Sequence, residues 1–402
     1  MKALRNYLNR IKPNFEPDGK LHAFRSVFDG FETFLYTPNS TSTSGVNIHD
    51  SLDSKRVMII VVLALMPCLL FGMYNTGYQN WLAAGAASFP FWQIMAYGFL
   101  TVLPRIVVAY AVGLGIEFVV AQWRREEIQE GFLVTGILIP LICPIETPLW
   151  MLAVATAFSV IFVKEVFGGT GYNIFNVALV TRAVLFFGYP AQMSGDKVFV
   201  STNSICGLGY DLPDAFSGAT PLGQIASFSG GDLELLNLQG NVISSWDAFL
   251  GLIPGSFGET STLAILIGAV ILLATGIASW RIMLSVVAGG LLMGWIANVF
   301  ATPTYPASFL SPADQLLFGG FAFAAVFMAT DPVTAARTNA GKYFYGLLVG
   351  VMAIIIRTYN NGYPEGAMLA VLLANALAPL IDHCVVQLNV ARRMRRLRQS
   401  AE

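Results

Sequence analysis

A run of small residues, Asp214-Ala-Phe-Ser217-Gly218-Ala219-Thr220, ends at a threonine that is followed directly by Pro221. Such a run buries little apolar surface, so it reads as an exposed turn that presents one hydroxyl, and Thr-Pro is a turn or helix-start signal. A second group of residues is charged yet embedded in, or adjoining, apolar sequence: Arg105, Arg182, Glu130, Asp331 and Asp382. Ionisable groups at membrane depth are costly and are commonly kept for function. Arginine presents a fork that suits a phosphate, and equally a backbone carbonyl or an acid. Carboxylates are hard oxygen ligands suited to a hard cation, so Glu130, Asp331 and Asp382 are candidate stations on an ion path. The same acids serve as helix caps, and Asp331-Pro332 fits an N-cap with proline at the first helical position. Gly168-Gly169-Thr170-Gly171 has neither the GxGxxG spacing nor a Walker lysine. It fits a tight turn or close helix packing.

The elements that must position these residues follow from composition. Of 402 residues, 55% are hydrophobic and 12% charged, with a net charge of −1; the mean hydropathy is +0.63. A soluble fold lacks the interior to hide so much apolar surface, whereas lipid accepts it. The fold expected is all-α and polytopic. Apolar runs long enough to cross about 30 Å of hydrocarbon occur at Val57–Tyr74, Ile94–Gln122, Leu149–Val166, Leu263–Ser279, Met283–Phe300, Leu316–Thr330, Tyr343–Arg357 and Gly366–Ile381. Phe132–Cys143 and Ile174–Tyr189 are shorter and make ten crossings, as candidates for broken helices.

Charge supplies the orientation. With the N-terminus inside, Arg105, Arg182 and Arg357 lie within or at the ends of spans, and of the 23 basic residues only Lys197 falls outside. That distribution obeys the positive-inside rule and puts both termini in the cytoplasm. Residues 190–261 then form one long external loop, in which Lys197 faces seven acidic residues. Five spans on each side of that loop make the halves inverted, an arrangement that places sites near the midplane at broken helices. The expected organisation is an arm (1–54), a first half (55–189), the external loop (190–261), a second half (262–382) and a basic tail (383–402). In the arm, Leu4, Leu8 and Ile11 share one helical face, and Phe24, Phe28, Phe31 and Leu35 form another stripe. Both suit amphipathic helices at the interface or docked on protein.

Several function classes are excluded. There is no basic patch on the scale of a nucleic-acid binder. Cys68, Cys143, Cys206 and Cys384 form no CxxC pair, which argues against a disulfide framework, a zinc site or an iron–sulfur cluster. His22, His49 and His383 lie outside the apolar spans, which argues against in-membrane haem ligation. No cleavable signal peptide is expected, because the first fifty residues are polar and mixed in charge.

Asp214-x-x-Ser217-Gly218-Ala219-Thr220 resembles the acceptor sequence of a flavin transferase, which joins FMN through its phosphate to the last threonine. Lys164-Glu-Val-Phe-Gly-Gly-Thr-Gly-Tyr-Asn-Ile-Phe-Asn176, Glu130-Gly-Phe-Leu-Val-Thr-Gly136 and Thr330-Asp-Pro-Val-Thr-Ala-Ala-Arg337 resemble the B subunit of the Na+-translocating NADH:quinone oxidoreductases. The likeness runs along essentially the whole chain. The D subunit of the Rnf ferredoxin:NAD oxidoreductases shares the core and the motif, but the arm of about fifty residues favours the first family.

The resemblance implies a respiratory membrane subunit with covalent FMN at Thr220 and a non-covalent riboflavin within the membrane. Electrons would arrive from a periplasmic FMN subunit and pass to ubiquinone near the cytoplasmic face, coupled to Na+ export. Arg182 would then hold the FMN phosphate or a flavin oxygen, and Asn173 and Asn176 an isoalloxazine edge. The further partners implied are a subunit carrying NADH, FAD and a 2Fe-2S cluster, small membrane subunits, and the transferase. The setting implied is the bacterial inner membrane. NADH oxidation belongs to another subunit, since no dinucleotide fingerprint is present. The rival from another class is a flavin-free solute channel or transporter, because inverted five-span repeats also build those.

Overall fold

Long apolar helices occupy five of the eight long hydrophobic runs, and shorter or interrupted helices occupy the other three. In the computed structural model, residues 2–15, 19, 25–36, 45, 54–124, 131–193, 198–213, 216–228, 234–360 and 362–399 are described. The arm contributes α1 (Lys2–Ile11) and α2 (Arg25–Leu35), and the bundle opens with α3 (Ser54–Ala83) and α4 (Phe91–Arg124). Then come α5 (Phe132–Ile142), α6 (Leu149–Ser159), α7 (Val177–Gly188) and the single turn α8 (Pro190–Met193). The segment that follows holds α9 (Pro221–Ala226) and α10 (Ser245–Leu250). The second half has α11 (Thr262–Ala274), α12 (Trp280–Val299), α13 (Pro312–Leu317), α14 (Phe321–Phe323), α15 (Asn339–Tyr359) and α16 (Ala367–Gln399). The chain is thus an all-α polytopic membrane protein; among the described residues, five helices are long and apolar enough to cross a bilayer: α3, α4, α12, α15 and α16. Shorter apolar helices, α5, α7 and α11, supplement them.

Exposed Val107, Val119, Val270, Leu284 and Trp295 coat the outside of these helices with apolar surface that only lipid or another subunit can cover. Inside, α3 packs on α4 and α11, and α12 packs on α15, which packs on α16. One apolar core joins both halves, from Leu65 and Phe132 to Phe321 and Val371.

The expected span Leu316–Thr330 is divided. α13 stops at Leu317; Phe318, Gly319 and Gly320 interrupt it; α14 then runs into a π-helical turn, Ala324–Met328. The physical reason is local. Gly319 sits at φ +68°, a left-handed conformation that side chains with a Cβ resist. A Cβ at that position would lie 2.6 Å from Leu222 Cδ1. α6 also ends in a π-helical turn, Val160–Glu165, and such turns recur at functional sites.

α5 is 11 residues long, about 16 Å or half a hydrocarbon core. Its last carbonyls would be orphaned inside the membrane without partners. The Gly258 N–H donates to the Leu141 carbonyl at 2.7 Å, and Arg182 donates to the Ile142 carbonyl.

The described part of 190–261 is folded. Leu222, Ile225, Leu235, Ile243, Ala248 and Ile253 form a small core of their own, completed by Ala307, Leu310 and Phe318 from the second half. Side chains at the near ends of α3 and α4 pin it: Asn80 Nδ2 donates to the Ser201 and Tyr210 carbonyls, both at 2.9 Å. Asn75 Nδ2 donates to the Ile253 carbonyl at 3.0 Å, and Tyr97 OH to the Asn203 carbonyl at 2.7 Å. This folded segment caps one end of the bundle.

In the arm, Phe28 is buried and stacks on Phe15 with ring centroids 4.6 Å apart, and Lys12 pairs with Glu32 at 2.8 Å. α2 also packs on α4. The arm's apolar stripe is therefore used at least in part on the chain itself.

Candidate functional sites

Thr220 is the N-cap of α9, as the Thr-Pro pair suggests. Its backbone is extended (φ −65°, ψ 157°), Pro221 takes the first helical position, and its Oγ1 accepts the Gly223 N–H at 3.0 Å. The cap fixes where the hydroxyl points, and the residue is half-buried rather than enclosed. Ser217 is exposed, Gly218 buried and Ala219 intermediate; Asp214 lies outside the described residues. Gln224 clamps this turn. Its Nε2 donates to the Ala219 carbonyl at 3.2 Å and the Leu236 carbonyl at 2.7 Å, and its Oε1 accepts the Leu236 N–H at 2.9 Å. Leu222 and Ile225 anchor α9 below in the cap's core.

Beneath the cap lies a buried charge network. Arg182, 2% exposed, donates through Nη1 to the Ile142 carbonyl and to Glu259 at 2.9 Å, and through Nη2 to Ser256 at 3.3 Å and to Glu365. Arg357, also 2% exposed, donates to the Gln315 carbonyl in α13 and to the Glu365 carbonyl at 3.3 Å. Two arginines and two glutamates balance, which is what burial of charge demands. Arg182 thus has the carbonyl and acid partners that its guanidinium fork suits, with the Ser256 hydroxyl beside them, while its Nε has no hydrogen-bond partner among the described residues. Arg105 donates to the carbonyl one turn back, Thr101, at 2.6 Å.

At the opposite end, a cavity of about 100 Å³ is lined by Thr135, Lys164, Thr170, Asn173, Asn176 and Asp331, with Val61, Leu272 and Phe327 as apolar wall. Both π-helical turns lead into it, one through Lys164 and the other through Phe327. From the Gly168–Gly171 stretch between α6 and α7, Thr170 lines the cavity, and Gly168, Gly169 and Gly171 all have positive φ. These glycines serve a tight turn, as their spacing suggests.

Asn176 caps α7, accepting from the Ala178 N–H at 3.0 Å and the Leu179 N–H at 3.3 Å, and donates to Asp331 Oδ2 at 3.2 Å. Asn173 accepts from the Gly171 N–H and donates to the Phe175 carbonyl at 2.9 Å. Asp331 does not cap a helix as Asp-Pro suggested. It closes a turn, accepting from the Val333 N–H at 3.0 Å and Thr334 Oγ1 at 3.1 Å, while Thr338 caps α15. The difference arises because seven residues separate Asp331 from the start of α15. Asp382 ties α16 to that same start, accepting from the Arg337 N–H at 2.7 Å and the Thr338 N–H at 2.9 Å. Glu130 lies outside the described residues. Asp331 and Asp382 therefore occupy separate places, and among the described residues no group of three or more His, Cys, Asp or Glu side chains converges.

Sequence reasoning missed three partners. Glu259 and Glu365 sit in loops, and the signal for them was the excess of arginines in spans, which need counter-charges. Lys164 read as a topological marker, yet it is buried against Glu117 of α4. Glu117, an acid in the middle of an apolar span, was the available clue.

Residues 41–391 match the model of the NQR2, RnfD, RnfE family. Over 98% of its length the chain is 42% identical to the B subunit of the Na(+)-translocating NADH-quinone reductase of Pseudomonas paraeruginosa, covering 99% of that protein. It is 43% identical to the B subunit of the same enzyme from Ectopseudomonas mendocina, again over 98% of the chain and 99% of the relative. The corresponding protein of Klebsiella pneumoniae is 41% identical and is covered in full. A match of this length and identity means that the chain belongs to the NQR2, RnfD, RnfE family.

Proposed function

We propose that this chain is the membrane-embedded B subunit of a Na+-translocating NADH:quinone reductase in a bacterial inner membrane, with FMN esterified to Thr220. The observation that carries the flavin assignment is the geometry of Thr220. Its hydroxyl is oriented by a cap, half-exposed, and mounted on a turn that Gln224 and the cap's core hold still. An attached phosphate would extend from a rigid base, and Ser217 stands beside it as an exposed donor. FMN supplies reversible electron transfer when bound, and the protein's part is to fix its position and surroundings. Arg182 is supported as a positioning residue beneath the cap rather than as a phosphate ligand.

The cavity at the opposite end suits Na+ better than a flavin. Its 100 Å³ falls well below the roughly 300 Å³ typical of small-molecule sites. Asp331, Asn173 and Asn176 supply hard oxygen atoms next to apolar walls, as Na+ handling requires. Riboflavin and ubiquinone remain part of the proposed function through family membership, with no side chain of the cavity assigned to either. The other subunits, including one that oxidises NADH and one with a periplasmic FMN, complete the electron path, with a flavin transferase for maturation. The alternative within the family, a D subunit of an Rnf-type ferredoxin:NAD oxidoreductase, would show as a purified complex that reduces NAD and not quinone.

The test is in-gel flavin fluorescence of the denatured chain, wild type beside Thr220→Val, with the transferase co-expressed. A fluorescent wild-type band that disappears in Thr220→Val is the expected result. A dark wild-type band, with the transferase active on a control substrate, would overturn the assignment in favour of a flavin-free channel.

A further inference from the structure

Among the described residues, the charged side chains that line the cavity opposite the cap are Lys164 and Asp331. Their charges cancel, so a Na+ ion entering beside them would lack a counter-charge of its own. That counter-charge stands behind the wall. Glu117 of α4 is 4% exposed and outside the lining, and its Oε1 accepts from the Lys164 ammonium. With Glu117 counted, the three side chains carry one net negative charge, which a single monovalent cation completes.

Stability does not account for the buried pair, since apolar side chains of similar volume commonly serve as well or better. Arg182 supports backbone by donating to the Ile142 carbonyl, whereas the one hydrogen bond of Lys164 among the described residues goes to Glu117. Glu117 Oε2 is buried with no partner at all. Lys164 Nζ stands 6.0 Å from the centroid of the Phe132 ring, a contact that attracts an ammonium rather than an amine. Its backbone belongs to the π-helical turn Val160–Glu165, a local register found at functional sites.

We propose that Lys164 is a tethered rival of Na+ for the charge of Asp331, and that Glu117 holds this rival off. The inference rests on the reading of Asp331 as a Na+ station and deepens it. While Glu117 balances the ammonium, Asp331 is left to the ion. Without that hold, the uncompensated ammonium takes up the field of Asp331, and Na+ loses its counter-charge. Lys164 and Glu117 both act through Asp331, so they are positioning residues and not ligands.

The experiment follows the melting temperature of the purified full chain in detergent as Na+ replaces choline at constant ionic strength. An ion that binds the folded chain raises that temperature, and the rise gives its dissociation constant. In Glu117→Gln the Na+ dissociation constant should increase about tenfold, and in Glu117→Gln/Lys164→Met it should fall about threefold below that of the wild type. Lost stability by itself does not move the constant in opposite directions. Where the single variant fails to fold, the double variant decides. A double variant at or above the wild-type constant, or a folded single variant without the increase, would overturn the rival cation; if Asp331→Asn still weakens Na+ binding, the Na+ site stands. A wild-type chain indifferent to Na+, or an Asp331→Asn chain with the wild-type constant, would overturn the site and the inference together.

Discussion

Arg182 and Arg357, on different helices of different halves, are joined through one residue: Arg182 pairs with the Glu365 carboxylate and Arg357 donates to the Glu365 carbonyl. Each arginine also takes a carbonyl of an interrupted segment, Ile142 at the end of α5 and Gln315 in α13. The network therefore satisfies backbone that broken helices would otherwise leave bare, and it ties the two halves together below the cap. Gly319 lets this happen, since a Cβ there would lie 3.1 Å from Arg357 Nη2 and against Leu222 of α9. The turn bearing Thr220 thus rests, through Leu222, on the same network.

Arg182→Gln strands the buried Glu259 carboxylate and leaves the half-buried Glu365 without its guanidinium partner. Loss of one partner of a buried ion pair costs about 3–5 kcal/mol, so the thermal melting temperature of the purified protein in detergent should drop by several degrees. Arg182→Lys should recover only part of this. One ammonium cannot reach the Ile142 carbonyl, Glu259 and Glu365 in the planar geometry of a guanidinium. Equal melting of all three proteins would mean that water, not Arg182, serves these groups.

Gln224→Ala removes the clamp on the motif turn while leaving Thr220, its cap and the acceptor sequence in place. Two backbone carbonyls and one N–H lose their partner, worth about 1 kcal/mol each where net hydrogen bonds are concerned. The covalent flavin signal per chain should fall severalfold, with the chain itself still inserted and folded. Full flavin occupancy in this variant would show that the transferase reads the sequence alone, without a held turn.

Much of this fold could be read from hydropathy, because the bilayer imposes a length and an apolar surface that composition must meet. α4, α12 and α15 lie close to their expected limits for that reason. The break at Phe318–Gly320 was hidden, since an interrupted apolar helix and a continuous one have the same hydropathy. Thr220 was legible because a cap is a local device, written in Thr-Pro. Glu259, Glu365 and Glu117 were not, because their meaning comes from arginine and lysine partners 47 to 183 residues away. Asp331 was legible as an acid at a helix border but not as the closure of a turn, which depends on how far on α15 begins.

Lys164 and Glu117 form a second buried pair, beside the cavity at the opposite end. Glu117→Gln leaves the Lys164 ammonium without its counter-charge in an apolar wall, and the Glu117→Gln/Lys164→Met double substitution removes both charges. The single change should destabilise by about 3 kcal/mol or more, and the double change by distinctly less. Chemical denaturation of the purified protein would compare them. A double variant as unstable as the sum of the singles would mean that the two groups act independently.

Asp331→Asn separates the two roles that Asp331 can have. Its oxygens accept the Val333 N–H and the Thr334 hydroxyl, and an asparagine carbonyl oxygen can still make the first of these bonds and so keep the turn. What asparagine cannot supply is the negative charge that draws a hard cation into a partly apolar cavity. If Asp331 only closes a turn, Asp331→Asn should leave the Na+ dependence of quinone reduction unchanged. If it is a station for Na+, the Na+ concentration for half-maximal rate should rise by about tenfold or more, equivalent to about 1.4 kcal/mol, with melting temperature near that of the wild type. The proposed function expects the second outcome. Asp331→Ala, which removes turn and charge together, should impair both rate and stability, so the contrast between the two variants assigns the charge its own share.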